Sequence, residues 1–242
     1  MNSCTSAGLR RARLADRPFV RLNLAITADG KIATANRAIS SFGSRRDLLH
    51  LYQLRKNADA ILCGATTINA ENADLGPGPA TSRVPSSSKT KLPLRVIVSG
   101  RGRVDIAARL FRRPFGPIVV LTTERVAPAR RRQLQSVAQQ VHVCGASQVD
   151  FPTTLRWLRS EWNVHQLLCE GGSQVNAALF EADLVDEVQL TICPWIVGGG
   201  QAPTLADGRG VAVLAHASAW QLHRARRLDK ELFLIYRRVR EC

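Results

Sequence analysis

Three stretches of the chain concentrate residue types that could do chemistry together. "LLCEGGSQVNAALFEAD" (167–183) passes from apolar residues through Glu170 to Gly171, Gly172 and Ser173, and then into helical spacing. "AILCGATT" ends its apolar run on Gly64, with Thr66 and Thr67 behind it, and "VIVSG" ends on Ser99 and Gly100. Glycine lets a backbone approach a ligand closely, and a helix N-terminus offers unpaired N–H groups and a favourable dipole to an anion. A hydroxyl beside such a turn adds a donor. One glycine turn merely reverses a chain. Three at equivalent strand ends point to a dinucleotide or another phosphorylated ligand, because ligands of open α/β sheets collect at the carboxyl ends of strands. The sequence holds neither G-x-G-x-x-G nor a Walker A motif.

The charged candidates stand near these turns. Glu170, at the end of an apolar strand, is costly to bury without a partner; it serves either as an acceptor for backbone N–H groups or a lysine, or as a contact for a ligand hydroxyl or amide. Glu71 follows the short helix after Gly64 and either faces the same cleft or is solvated. Arg55 closes a helix, where a cation suits the dipole, and its guanidinium could instead take a substrate phosphate. Lys31 lies beside the Asp29-Gly30 turn, in a solvated position. The five histidines show no metal-ligand spacing, and there is neither an H-x-E with P-C-x-x-C nor a G-x-S-x-G elbow. Metal and acyl-transfer chemistry have no motif to rest on.

The elements that must position these residues follow from periodicity. Strand-like runs occur at 18–27, 58–64, 94–100, 116–123, 141–145, 164–171 and 185–194. Helical spacing separates them at 44–57, 127–140, 151–162 and 173–183, with Ser44 and Asp47 suggesting a capping box for the first. The tail 220–240 reads as two antiparallel strands around Asp229-Lys230. Alternating strands and helices predict an α/β fold, a mostly parallel central sheet flanked by helices with an antiparallel C-terminal edge. The expected organisation is a flexible basic arm over 1–17 and one domain over 18–240. The Pro/Gly/Ser-rich stretch 71–93 is a long loop.

Composition narrows the class. The chain has 242 residues, 45% of them hydrophobic, and a formal net charge of +15. Its longest apolar runs fall far below the roughly 20 residues of a membrane span. The positive charge is spread over several arginine clusters, and aromatic residues make up only 5%. Stacking platforms for nucleic acid are therefore scarce, while a basic surface also attracts phosphorylated small molecules. Six scattered cysteines without C-x-x-C fit a reducing, cytoplasmic setting.

Taken in order, "RLNLAITADGKIA", "LRKNADAILCGATTINAEN", "LRVIVSG" and "LLCEGGSQVNAALFEADLVDEVQLTICPWIVGGG" resemble the reductase domain of riboflavin biosynthesis, the C-terminal half of a bifunctional deaminase–reductase in many bacteria. The likeness runs from about residue 18 to 236. It implies a dihydrofolate reductase-like fold, NADPH as cofactor, a homodimer, and hydride transfer to C1′ of a phosphoribosylaminopyrimidine. It assigns Ala25, Gly64, Thr67, Ser99, Gly100, Gly171, Gly172 and Ser173 to the cofactor. Asn23, Arg55, Leu75 and Glu170 fall to the substrate, and Glu71 stands where the family has an acid, making it or a water the proton donor. Two features depart from the family pattern. "ENADLGPGPATSR" lacks the usual arginine, which Arg83 replaces only if the loop folds back, and "AISSFGS" lacks a tryptophan. The substrate is then either the deaminated or the diamino pyrimidine. Reduction of another pteridine or imine on the same fold, or a non-catalytic basic nucleic-acid-binding role, are the alternative readings.

Overall fold

The computed structural model describes residues 16–37, 42–78 and 92–239. The arm over 1–15, residues 38–41 and the 79–91 segment with Arg83 lie outside these. Seven strands run parallel: β1 (Phe19–Thr27), β2 (Ala60–Gly64), β3 (Leu94–Val98), β4 (Ile118–Thr122), β5 (Gln140–Val143), β6 (Gln166–Cys169) and β7 (Glu187–Cys193). An antiparallel hairpin, β8 (Trp220–Leu228) and β9 (Glu231–Arg238), joins β7 through β9. The sheet order is β5-β4-β3-β2-β6-β1-β7-β9-β8. The expected mostly parallel sheet with an antiparallel C-terminal edge is what forms.

Burial explains the sequence pattern. β2 and β4 are buried at every residue, which is why they read as continuous apolar runs rather than alternating ones. Helices cover both faces. Phe151, Leu155 and Leu158 of α5 (Phe151–Glu161) and Val175 and Leu179 of α6 (Ser173–Glu181) pack on one face with Val20, Leu22 and Leu62. Leu54 of α1 (Arg45–Lys56), Ile68 of α2 (Ala65–Glu71), Leu110 of α3 (Arg109–Arg112) and Leu134 of α4 (Pro128–Gln135) pack on the other with Ile61, Ile97 and Val120. Each such side chain contributes about 1.5–3 kcal/mol by leaving water. Arg95 interrupts the apolar run of β3, yet its guanidinium donates to the carbonyls of Leu110 and Gly116 at 2.7 and 2.6 Å.

Several expectations are corrected. Helix α4 ends at Gln135, with Ser136 as its C-cap, rather than reaching 140. The short helix α3 carried no periodic signal. Ser44 does cap α1, its hydroxyl accepting from the N–H groups of Arg46 and Asp47. The reciprocal bond expected from Asp47 is supplied instead by Glu231, which accepts from the Ser44 N–H at 2.6 Å. Arg17, placed on sequence in the flexible arm, is buried against Asp186 with two bonds of 2.8 and 2.9 Å.

Candidate active site

The chain runs outward from β2 to β5 and returns to insert β6 between β2 and β1. The two glycine turns, more than a hundred residues apart in sequence, thereby become neighbours. The Glu170 N–H donates to the Leu62 carbonyl at 2.9 Å, and the Gly64 N–H donates to the Gly171 carbonyl at 2.7 Å. From these adjacent strand ends α2 and α6 depart toward opposite faces of the sheet, which opens a crevice between their first turns.

A groove of about 830 Å³ occupies this crevice. Gly64, Thr66, Thr67, Ser99, Gly100, Gly172 and Ser173 all line it. Ile32 and Pro203 form a far wall, while Arg101 and Arg103 stand at the β3 end. Gly64 and Gly172 are the N-caps of α2 and α6, and neither helix receives a side-chain cap bond. Ser173 is the first residue of α6; burial pushes the nearby Asp207 carboxyl up, but the Ser173 side chain and the bonds from Thr204 bring it below the usual range. Gly171 has φ +85°, a left-handed conformation that favours glycine. Arg101 and Arg103 were missed on sequence because an arginine after a strand end has no spacing signature.

The substrate-side residues form a second group beside the groove. Arg55 does not stand free for a phosphate. Its Nε and Nη2 donate to the two carboxylate oxygens of Glu170 at 2.7 and 2.6 Å, and its Nη1 donates to the Gly76 carbonyl at 2.8 Å. Both side chains are about nine-tenths buried. Desolvation opposes the Arg55 charge, but Glu170 outweighs it and raises the guanidinium above its ordinary value. The partner expected for Glu170 was a backbone N–H or a lysine; the structure supplies the arginine.

Asn23 lies on β1 one residue beyond the Leu22–Cys169 pairing, next to Glu170. It is buried, and its Oδ1 has no hydrogen-bond partner among the described residues. A buried acceptor left open is costly unless a ligand supplies a donor. Ala25 follows on the same strand, paired with Thr191 and half-buried. Leu75 is brought to this region, but its side chain is fully buried in the core and its φ is +52°. It can offer a ligand only backbone. Glu71 ends α2, exposed as a residue, with its carboxyl pushed up first by desolvation and then by the Glu170 charge, against the pull of Arg55. Burial also pushes the Cys169 thiol up to about 12, so it is no nucleophile.

An open parallel sheet with a glycine-lined crevice at its carboxyl edge defines the α/β class that binds extended phosphorylated ligands. The model of the RibD C-terminal domain matches residues 18–234, and the chain belongs to that family. It is 36% identical over 220 residues to the 2,5-diamino-6-ribosylamino-4(3H)-pyrimidinone 5′-phosphate reductase of Methanothermobacter thermautotrophicus, covering 91% of this chain and 98% of that one. The riboflavin biosynthesis protein RibD of Actinobacillus pleuropneumoniae is 29% identical, with 91% of this chain matching 57% of that protein. Among solved structures, a pyrimidine reductase-like protein from Corynebacterium diphtheriae superposes with a TM-score of 0.76 at 22% identity, over 94% of each chain. Acinetobacter baumannii RibD gives 0.77 at 21% identity, over 98% of this chain and 62% of that one.

Proposed function

We propose that this chain is an NADPH-dependent reductase of riboflavin biosynthesis, delivering hydride to C1′ of a phosphoribosylaminopyrimidine to give the ribitylamino product. The observation that carries it is the groove joining the Gly64 and Gly172 turns beside the Asn23–Glu170–Arg55 group. Its fit to a dinucleotide has a direct geometric test. A Cβ on Gly172 would come within 2.8 Å of Thr67 Oγ1, so glycine lets that hydroxyl and the turn share this part of the cradle.

On this reading Gly64, Thr67, Gly171, Gly172 and Ser173 hold the pyrophosphate by backbone and hydroxyl groups. Ser99 and Gly100 take the adenosine end. Arg101 and Arg103 are exposed, line the groove beside them, and have no ion-pair partner among the described residues. Arg209, which also lines the groove, already has Glu181 at 4.0 Å. Two uncompensated guanidinium groups suit a 2′-phosphate and favour NADPH over NADH.

When bound, the reduced nicotinamide supplies the hydride. The chain's residues bind and orient. Ala25 borders the nicotinamide end. Asn23 Oδ1 and the carboxylate of Glu170, held in place by Arg55, accept from substrate N–H or O–H groups. Leu75 contributes backbone, and Glu71 keeps a proton available for the ring oxygen that leaves C1′.

The diamino pyrimidine is the favoured substrate, because that compound names the stand-alone relatives. Leu222 and Leu232, half-exposed on one face of the C-terminal hairpin, suit a homodimer contact. Four buried free thiols fit a cytoplasmic setting. The test is loss of NADPH absorbance on adding each pyrimidine to purified protein. Turnover of the diamino compound is expected, and absence of turnover with either compound overturns the proposal.

A further inference from the structure

Asp29 stands in the turn after β1, outside both residue groups described above. Its carboxylate is fully engaged. Oδ1 accepts from Thr27 Oγ1 at 2.5 Å and from the Val197 N–H at 3.2 Å, and Oδ2 accepts from the Gly198 N–H at 2.7 Å. Two successive backbone N–H groups aimed at one anion form a nest. Gly198 and Gly199 take φ +67° and +81°, conformations open to few other residues. The Thr27 bond first, and the backbone bonds after it, hold the Asp29 carboxyl down to about 2, so it stays charged at any working pH.

The same turn is laced to the 195–204 segment by backbone. The Ala28 N–H donates to the Trp195 carbonyl at 2.8 Å, the Ile32 N–H donates to the Pro203 carbonyl at 2.9 Å, and Lys31 bridges Thr204. Ile32, Ala33 and Pro203 are groove-lining residues. Trp195 and Ile196, 57% and 77% exposed, are held out just past the Thr27–Cys193 pairing where β1 and β7 end. A glycine-rich turn with no sheet partner of its own has many conformations to lose. Among the described residues, the Asp29 carboxylate is the charged group bonded to the turn's consecutive N–H groups.

We infer that Asp29 is a positioning residue for the cofactor groove: by anchoring the 197–198 turn it fixes the Ile32–Ala33–Pro203 wall, without itself touching cofactor or substrate. This rests on the NADPH reading above. It predicts an effect on cofactor binding that exceeds any effect on the sheet, whose core lies on other residues.

The experiment compares Asp29→Ala and Asp29→Asn with the parent by NADPH titration, thermal melting and amide hydrogen exchange at Val197 and Gly198. Expected are faster exchange at both amides and NADPH affinity lowered roughly ten- to a hundredfold in Asp29→Ala, the scale for a displaced binding wall. Asp29→Asn, which keeps one acceptor oxygen, should fall between, and melting should stay near the parent's. Unchanged NADPH affinity in both variants overturns the inference while leaving the reductase proposal intact. Collapse of melting in both variants overturns it too, since Asp29 would then serve the fold at large. Should the parent itself not bind NADPH, the cofactor reading fails, and unchanged exchange at 197–198 would separately remove the anchor.

Discussion

Replacing Gly172 by alanine separates the cradle from the fold. Gly172 has φ −76° and ψ −170°, extended backbone that alanine adopts without strain. The added Cβ meets one atom within 4 Å, the Thr67 hydroxyl oxygen at 2.8 Å, which can swing away. Alanine is a poorer N-cap than glycine by up to about 1 kcal/mol, and it recovers about 0.4–1 kcal/mol by restricting the unfolded chain. Net stability should therefore barely change, with melting within about 4 °C of the parent. The cofactor should respond differently. Closing the backbone approach and displacing Thr67 removes one hydrogen bond to a charged oxygen, about 1.5–3 kcal/mol. That corresponds to roughly ten- to a hundredfold weaker NADPH binding, at about 1.4 kcal/mol per tenfold. Titration of nicotinamide fluorescence and a thermal melt on the same sample read both quantities. NADPH affinity equal to the parent's, with melting unchanged, would refute the assignment of this turn to the pyrophosphate.

Changing Arg101 and Arg103 together to glutamine should raise KM for NADPH at least about tenfold, the loss of roughly one charge-assisted contact, and leave KM for NADH nearly unchanged; parallel changes for both cofactors would exclude a 2′-phosphate contact. Glu71 gives a pH prediction. Its carboxyl is raised, so the protonated acid persists below that raised value and is lost as pH rises through it. The kcat/KM profile should fall on that side, and Glu71→Gln should abolish the inflection; an inflection that survives the substitution belongs to another group.

The features legible along the chain are local or periodic. Continuous apolar runs specified β2 and β4 because strands buried on both faces cannot alternate, and the glycines that end three apolar runs come to line one groove. Tertiary structure decided everything that depends on partners distant in the chain. The Arg55–Glu170 pair spans 115 positions, the Asp29–Gly198 anchor 169, and the Ser44–Glu231 cap 187. Each side chain taken alone has several acceptable partners, such as water, a backbone group or a ligand. Only the insertion of β6 between β1 and β2, and the docking of the late loops against β1, select one. For the same reason Leu75 belongs to the core, and Arg55 reached a carboxylate before any phosphate could: burial and pairing are properties of the assembled sheet, and no spacing rule along the chain encodes them.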